Sequence, residues 1–265
     1  MKNDLVMKEG KSVLERRLAI VDGISQNSLV KIKDFVERFD VSEVTIRKDL
    51  IYLEEKGQLI RVRGGAIKNS SKSSYGYMTV NEKEGHNLLE KQRIGKAAAA
   101  LIQEGDTIII DSGTTTMEVV RNLGGYSKLK IITTALNVAI ALNEFKRFDV
   151  IIPGGYLNND TLSLTGHMAE AFLENFYCDK LFLGVDSFSL EKGLSTPVPE
   201  EAFVNQMMIS IAKEVIAVFD SSKFHKRGFA FIANVKEIDT IITDDGIPHE
   251  IHRALAEMGK KVIIA

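Results

Sequence analysis

The strongest constraint on the fold is the regular alternation of short apolar runs with amphipathic segments over residues 90–265. Seven runs rich in Ile, Val, Leu and Phe predict strands: Thr107–Asp111, Lys130–Thr134, Val150–Pro153, Lys180–Val185, Val215–Asp220, Thr240–Thr243 and Lys261–Ala265. Most are separated by helix-length segments: Gln92–Gln103, Met117–Leu123, Leu136–Phe145, Met168–Phe176, Phe203–Lys213 and Glu250–Met258. Strands that alternate with helices predict an α/β fold with a mainly parallel sheet covered on both faces. Ligands of such sheets bind at the carboxyl ends of the strands.

A different pattern occupies the first part of the chain, where three helical stripes lie close together. The first stripe runs from Val13 to Ile24, and the second runs from Leu29 to Phe39 with apolar residues three and four apart. The third begins at Ser42, a good N-cap, and ends near Gly57. Residues 59–67 then alternate apolar and basic side chains around a Gly-Gly turn, which predicts a β-hairpin.

A Ser-rich stretch without apolar periodicity separates these two parts. It predicts a first domain at 1–68, a linker at 69–89 and a second domain at 90–265. The charge divides at the same place. The whole chain has a net charge of −2, but residues 1–68 hold 14 basic and 11 acidic residues, whereas the rest hold 20 and 25. A basic module joined to an acidic one is consistent with a protein that contacts nucleic acid through one part only.

The third helix and the hairpin carry the side chains expected to contact DNA. Ser42, Thr45, Arg47 and Lys48 lie outside the apolar stripe of the helix. A helix of this kind enters the major groove, where Arg or Lys bonds guanine and Ser or Thr bonds bases or phosphates. Arg61 and Arg63 are two residues apart on one strand and therefore share a face, which suits phosphate or minor-groove contact. Helix, turn, helix and basic hairpin form a winged helix-turn-helix; the alternative is a helical domain with an ordinary solvated basic face.

Polar or glycine residues end four successive predicted strands of the second part. Asp111-Ser112-Gly113-Thr114-Thr115 precedes a helix, and free N–H groups at a helix N-terminus favour an anion such as phosphate. The later strand ends contribute Thr133, Asn137, Gly154, Gly155 and Asp186, followed further on by Glu201 and Lys223. Taken alone, the Thr-rich segment is also compatible with a simple helix cap, and Lys223 with a solvated surface lysine.

Three strings in the first part resemble the DeoR family of bacterial transcriptional repressors. They are Val41-Ser-Glu-Val-Thr-Ile-Arg-Lys-Asp-Leu50, Leu53-Glu-Glu-Lys-Gly57 and Arg61-Val-Arg-Gly-Gly-Ala66. The resemblance covers nearly all of the chain after the first dozen residues. Asp111-Ser-Gly-Thr-Thr-Thr116, Phe182-Leu-Gly-Val-Asp186 and Gly193-Leu-Ser-Thr196 are most similar to the N-acetylgalactosamine-type repressors of that family.

The resemblance implies a C-terminal sugar-phosphate sensor domain similar in fold to ribose-5-phosphate isomerase. It places the phosphate loop at Asp111–Thr115, a polar loop at Thr133–Asn137, and further contacts at Gly154, Gly155, Asp186, Glu201 and Lys223. Three positions depart from the family pattern: Arg63 replaces a usual His, Lys48 a common Arg, and Thr134 a frequent Asn. The first two keep a donor or a positive charge, whereas the third puts that ligand contact in question.

The same likeness raises an alternative, an active sugar-phosphate isomerase with an appended DNA-binding module. Lys192 and Glu201 keep a spacing that resembles the isomerase's Lys and Glu. However, Ser189 stands where the isomerase has a second Asp, so part of the acid–base set is missing. We therefore expect binding rather than catalysis.

Other function classes find little support in the sequence. One cysteine, Cys178, excludes a disulfide scaffold within the chain, and no His or Cys cluster predicts a metal site. No apolar run of about 20 residues predicts a membrane span, and no signal peptide is evident. The expectation is a cytoplasmic homo-oligomer, a dimer or tetramer, that needs no cofactor, binds operator DNA, represses a sugar or amino-sugar catabolic operon and is released by a phosphorylated sugar.

Overall fold

The computed structural model describes residues 13–26, 29–55, 59–62, 64–68 and 78–265. The chain divides into two compact units, one within residues 1–72 and the other within residues 73–265. Each is described by itself below.

The described residues of the first unit form three helices and a small antiparallel sheet. Its elements are α1 (Val13–Gln26), β1 (Leu29–Lys31), α2 (Ile32–Phe39), α3 (Glu43–Glu55), β2 (Leu59–Val62) and β3 (Gly65–Lys68). The strands lie in the order β1-β3-β2. The apolar stripes of the helices converge on one core, which includes the buried side chains of Ile20, Phe35, Ile46, Leu50 and Leu59. The predicted winged helix-turn-helix is the fold of this unit.

The start of the second predicted helix is a correction. Leu29–Lys31 forms strand β1, which pairs with β3, and the helix begins only at Ile32. The two strands approach so closely that a Cβ on Gly65 would lie 2.1 Å from the carbonyl oxygen of Val30. Glycine at position 65 therefore permits a third strand that periodicity within residues 29–39 did not indicate.

The second unit contains a seven-stranded sheet with helices on both faces. Its elements in chain order are α4 (Val80–Glu84), α5 (Leu88–Ala99), β4 (Thr107–Ile110), α6 (Thr114–Arg121), β5 (Lys130–Ile132), α7 (Leu136–Asn143), β6 (Asp149–Ile151), β7 (Tyr156–Asn158), β8 (Ser163–Thr165), α8 (His167–Leu173), β9 (Cys178–Gly184), β10 (Ser187–Ser189), β11 (Gly193–Thr196), α9 (Pro199–Ile211), β12 (Ala212–Val218), β13 (Ala230–Ala233), β14 (Thr240–Thr243), α10 (His249–Glu257) and β15 (Lys261–Ile264).

All neighbouring strands of the large sheet are parallel, in the order β15-β14-β12-β9-β4-β5-β6. These seven strands correspond to the seven runs predicted from the sequence. Successive strand residues point to opposite faces, so Ile108 and Ile110 pack into one core cluster and Ile109 packs into the other. The mainly parallel α/β fold is confirmed.

The smaller elements were not predicted. Strands β7 and β8 form a hairpin, and β10, β11 and β13 form a three-stranded antiparallel sheet. Their runs of three or four residues are too short for periodicity to identify.

Residues 78–89 also differ from the predicted linker, because they form helix α4 and the start of α5 within the second unit. A capping box fixes the start of α4: the hydroxyl of Thr79 accepts the N–H of Glu82, whose carboxylate accepts the N–H of Thr79. This local pattern, Thr79-Val-Asn-Glu82, was present in the sequence.

Candidate functional sites

Helix α3 presents most of the predicted DNA-contacting side chains to solvent. Ser42 caps it, since its hydroxyl accepts the N–H of Thr45 at 3.2 Å and contacts the Thr45 hydroxyl at 2.9 Å. Arg47 and Lys48 are exposed, and Thr45 is half-buried. Arg47 Nη2 lies 2.6 Å from the carboxylate of Glu43, one turn earlier. Because both side chains are more than half exposed, this ion pair is weak and a phosphate or a base can replace it.

The hairpin supplies Arg61 on strand β2. Its guanidinium Nε lies 2.6 Å from Glu54 Oε2, and its backbone N–H donates to the same carboxylate at 2.9 Å. These backbone and side-chain hydrogen bonds lower the pKa of Glu54. Glu54 at the end of α3 thus orients Arg61, and this contact links α3 to the hairpin. Arg63 lies outside the described residues.

An ion-paired cluster that sequence reasoning missed holds α3 against α1. The buried carboxylate of Asp49 accepts hydrogen bonds from Arg16 Nε at 2.5 Å and from Arg17 Nε at 2.8 Å. The Arg17 guanidinium also lies over the ring of Tyr52, 3.6 Å from its centroid. Residues 32 or 33 positions apart meet here, so no local pattern indicates the pairing. The cluster fixes the angle at which α3 presents its exposed face.

In the second unit, a polar cleft lies where the strand order reverses. Strands β5 and β6 follow β4 on one side of the sheet, whereas β9, β12, β14 and β15 lie on the other. Loops leaving the carboxyl ends of β4 and β9 therefore diverge, which is where ligands bind in open α/β sheets. The cleft is lined by Val80, Lys83, Lys91, Asp111, Ser112, Gly113, Thr114, Thr115, Thr161, Gly184, Val185, Asp186, Thr196, Glu201, Asn205, Lys223 and Ile232.

The loop after β4 closes one side of this cleft. Gly113 adopts a φ of +125°, which favours glycine, and directly precedes α6. The N–H of Gly184 donates to Asp111 Oδ2 at 3.1 Å, and a Cβ on Gly184 would lie 2.7 Å from the carbonyl oxygen of Ser112. This close approach holds the ends of β4 and β9 together and directs the N-terminus of α6 toward the cleft. No acidic residue occupies the first turn of that helix, so its N–H groups suit an anion.

Three lysines supply positive charge to the cleft. Burial lowers the pKa of Lys91, and the charges of Lys223 and Lys83 lower it further, while Asp220 opposes the shift. Burial likewise lowers the pKa of Lys223, opposed by Asp186 and Asp220 and reinforced by Lys83. Mutually repelling cations in a partly desolvated cleft are stabilised by a bound anion.

Three carboxyl groups lie in the same cleft and differ in their environments. Burial raises the pKa of Asp111 to about 8, and the charges of Glu201 and Asp186 add to this effect. Burial also raises the pKa of Glu201, despite hydrogen bonds from Thr161 and Ser163. Burial would raise the pKa of Asp186 too, but Lys83, Lys223 and the Thr196 hydroxyl outweigh it and the pKa is lowered. A neutral Asp111 can donate a hydrogen bond, whereas a charged Asp186 can accept hydrogen bonds from hydroxyl or amino groups.

The structure brings together most, though not all, of the predicted ligand-binding residues. Those that line the cleft are Asp111, Gly113, Thr114, Thr115, Asp186, Glu201 and Lys223. Asn137 lines an adjoining cavity with Gly113 and Thr114, and its Oδ1 is a buried acceptor without a hydrogen-bond partner among the described residues.

Thr133, Gly154 and Gly155 are not among the residues that line the cleft. Strands β5 and β6, which precede them, lie beyond β4 and away from the strand-order reversal. Thr133 is fully buried and its hydroxyl accepts the N–H of Ala135 at 3.1 Å. Gly155 has a φ of +151°, and a Cβ there would lie 2.6 Å from the carbonyl oxygen of Thr165. Local packing thus accounts for the Thr133 and Gly155 residue types.

Several cleft residues escaped sequence reasoning: Lys83, Lys91, Thr161, Thr196 and Asn205. They come from α4, α5, the turn between β7 and β8, β11 and α9. The capping box of α4 could have indicated that Lys83 belongs to a folded element. For the others no local signal exists, because they reach the cleft through tertiary packing.

The residue set required by the isomerase alternative is incomplete at this cleft. Lys192 is exposed and is not among the lining residues, and Ser189 replaces the second carboxylate. Among the described residues, no group of three His, Cys, Asp or Glu side chains is placed to hold a metal ion. In that same part of the chain, none of the helices has the length and apolar character needed to span a membrane.

Comparisons with known proteins match the two parts of the chain to two different domain families. Residues 16–72 match the DeoR-like helix-turn-helix domain, and residues 86–245 match the DeoR C terminal sensor domain. A relative in Escherichia coli O157:H7, named "Putative aga operon transcriptional repressor", is 38% identical over 94% of this chain and 93% of its own length. Another in Haloferax volcanii, named "HTH-type transcriptional regulator GlpR", is 34% identical over 94% of this chain and 96% of its own. Among solved structures, ribose 5-phosphate isomerase A from Methanocaldococcus jannaschii matches with a TM-score of 0.38 and 17% identity, over 52% of this chain and 54% of that chain.

Proposed function

The chain belongs to the DeoR family of transcriptional regulators, and from that premise we propose that it represses a sugar or amino-sugar catabolic operon and is released from its operator by a phosphorylated sugar. It is a DNA-binding regulator rather than an enzyme, as the curated relatives are named regulators or repressors. The observation that carries the ligand class is the cleft, where three lysines and the N-terminus of α6 face buried carboxyl groups.

Operator DNA is bound by α3 and the hairpin of the first unit. Ser42, Thr45, Arg47 and Lys48 contact bases or phosphates in the major groove, and Arg61 and Arg63 contact the adjacent backbone or minor groove. The ion pairs of Arg47 with Glu43 and of Arg61 with Glu54 hold the two exposed guanidinium groups until phosphates replace the carboxylates. Repeated half-sites require more than one such unit, so the active form is a homo-oligomer, a dimer or tetramer, acting in the cytoplasm.

A phosphorylated sugar fits the two kinds of group in the cleft. Its phosphate is bound by the N–H groups at Gly113–Thr115 together with Lys223 and Lys91. Its hydroxyl or amino groups reach Asp186, Glu201 and Asp111. Asn137, with its unpaired acceptor in the adjoining cavity, suits a ligand N–H or O–H. Thr133 and Gly155 support the site indirectly, by shaping the loops after β5 and β6.

Thermal unfolding of the full chain tests the ligand class. We expect stabilisation by galactosamine 6-phosphate or N-acetylgalactosamine 6-phosphate, and none by the corresponding unphosphorylated sugars. A ligand at about one hundred times its Kd adds about 2.7 kcal/mol to the free energy of unfolding. The matched variant Lys223→Met should lose the response, whereas Lys96→Met, at an exposed position of α5, should keep it. Equal stabilisation by phosphorylated and unphosphorylated sugars would contradict the phosphate assignment.

A further inference from the structure

Helix α4 belongs to neither of the two matched family ranges. These ranges are 16–72 and 86–245, so they omit residues 78–85 of the described chain. Along the chain, residues 69–79 separate Lys68 at the end of β3 from Val80 at the start of α4. The first described element of the second unit therefore follows residues 69–79, which lead from the DNA-binding unit along the chain.

This short helix is attached to the cleft at its start. The N–H of Val80 donates to the carbonyl of Asp160 at 2.8 Å, and the Val80 side chain is buried and lines the cleft. Thr161, which follows Asp160, lines the same cleft and hydrogen-bonds Glu201. The beginning of α4 is thus bonded to the loop that contributes ligand-facing groups.

Lys83, near the other end of α4, is attached through both its side chain and its backbone. Its ammonium group lies 2.5 Å from Asp186 Oδ1, and its carbonyl oxygen accepts a hydrogen bond from Lys91 Nζ at 2.7 Å. The side chains of Lys83 and Asp186 are only 17% and 25% exposed, so solvent screens their interaction incompletely. One residue of α4 therefore contacts two ionisable groups of the cleft.

We propose that Lys83 binds the anionic group of the effector and that α4 thereby transmits occupancy of the cleft to the segment leading to the DNA-binding unit. This inference rests on the function proposed above. In the structure Asp186 is a counter-ion of Lys83. A phosphate held by Lys91 and Lys223 competes with Asp186 for the same ammonium group, because an anion repels Asp186 and attracts Lys83. When Lys83 changes its partner, the contact that fixes α4 to the end of β9 changes as well.

Such an exchange provides what allosteric coupling requires, namely different contacts in the two states. With ligand absent, α4 is fixed to the protein's own carboxylate; with ligand present, it is fixed to the ligand. Because α4 is the first described element after residues 69–79, a displacement of α4 moves the point from which the chain leads back toward the DNA-binding unit.

The test combines titration calorimetry with amide hydrogen exchange on the full chain, using inorganic phosphate and galactosamine 6-phosphate as probes. Lys83→Met keeps most of the apolar stem but removes the charge. We expect it to weaken binding of galactosamine 6-phosphate by about tenfold or more, as for loss of a charge-assisted hydrogen bond. In the wild type, the probe should change the exchange rates of the amides of residues 80–84, and in Lys83→Met that change should be absent.

Three further variants test whether the charge of Lys83 is the cause. Lys96→Met, an exposed lysine of α5, should bind and exchange like the wild type. Lys83→Arg, which keeps the charge, should retain most of the affinity and the change in α4 exchange rates. If the side-chain stem of Lys83 had only a structural role, Lys83→Met would keep the wild-type affinity. Asp186→Asn removes the competing counter-ion. If Lys83 contacts the probe itself, this variant should retain the change in the amide exchange rates of α4.

Binding of galactosamine 6-phosphate to Lys83→Met within twofold of wild type, or unchanged exchange in α4 when the wild type binds it, would overturn this inference and leave the sugar-phosphate function intact. Failure of the wild type to bind either probe would overturn both.

Discussion

The backbone N–H of Gly184 donates a hydrogen bond to the carboxyl group of Asp111, 3.1 Å away, and so joins the ends of β9 and β4. These two strands are neighbours at the point where the strand order reverses. The bond places a nearly neutral carboxyl group, a glycine without a side chain and the N-terminus of α6 within one cleft.

The first prediction concerns Gly184, where a side chain would meet the Asp111 loop. Gly184→Ala places a Cβ 2.7 Å from the carbonyl oxygen of Ser112 and 3.4 Å from Asp111 Oδ2. We expect a loss of about 1–3 kcal/mol in the free energy of unfolding and weaker sugar-phosphate binding, because the backbone must shift. Gly124→Ala is the matched control, since no atom lies within 4 Å of its Cβ. Denaturant unfolding and calorimetry measure both effects; an unperturbed Gly184→Ala would show that the loop is compliant.

The second concerns the pH dependence of effector binding. The pKa of Asp111 is raised to about 8, so the group is neutral at pH 7 and acquires a charge as the pH rises through 8. A negative charge in the cleft repels a phosphate, and we expect affinity to fall between about pH 7 and 9, where phosphate, with a second pKa of about 6, stays a dianion. Burial lowers the pKa values of Lys91 and Lys223. When these lysines lose their positive charge at higher pH, the affinity for phosphate falls further.

Asp111→Asn separates these contributions to the pH profile. The variant should retain affinity near pH 7 and lose the part of the decline that belongs to the carboxyl group. The same raised pKa affects stability: between the ordinary value of 3.8 and about 8, the folded state binds the extra proton, so stability should fall as the pH rises through that window. Calorimetric titrations at several pH values decide the matter, and identical profiles for variant and wild type would refute the role of Asp111.

The third concerns Arg47 on the exposed face of α3. Arg47→Ala should weaken operator binding by about 1–3 kcal/mol and relax specificity at one base pair. It should change the free energy of unfolding by no more than about 0.5 kcal/mol, since the residue is a solvent-exposed surface position. Fluorescence anisotropy at several salt concentrations gives the affinity and its salt dependence. Arg253→Ala, on α10 of the other unit, removes an equally charged and 81% exposed side chain and should bind DNA normally. Equal losses in the two variants would indicate a general charge effect.

The fourth concerns Asp49, which anchors α3 to α1. Asp49→Ala removes the partner of two arginines, one of which is only 8% exposed. Leaving a buried charge without its partner costs about 3–5 kcal/mol, so the first unit should unfold at lower denaturant concentration. DNA binding should fall with it, while sugar-phosphate binding to the second unit persists. Near-UV circular dichroism and calorimetry follow the two units separately, and an unchanged unfolding midpoint would contradict the anchoring role.

Much of this protein was predictable from patterns within single elements. The seven parallel strands, the exposed basic face of α3 and the loop at Asp111–Thr115 each follow from the spacing of residues along one short segment. Burial of one face imposes a period of two on strands and about 3.6 on helices. These features can therefore be predicted from the residues of a single short segment. Thr133, Gly154 and Gly155, which do not line the cleft, had the same local appearance as the predicted residues that do. The residue types of Thr133 and Gly155 serve the packing of the loops after β5 and β6.

The sequence by itself thus determined the two kinds of domain, the exposed basic face proposed to contact DNA and the loop proposed to bind an anion. Only the tertiary structure decided which side chains meet. Lys83 and Asp186 are separated by 103 positions, and Asp49 finds its arginines across 32 and 33. Such pairings depend on the order of strands in the sheet and the packing of helices, which no periodicity within one element records. Lys83, Lys91 and Lys223 come from α4, α5 and the segment after β12, and only the packing of these elements brings the three lysines to one cleft.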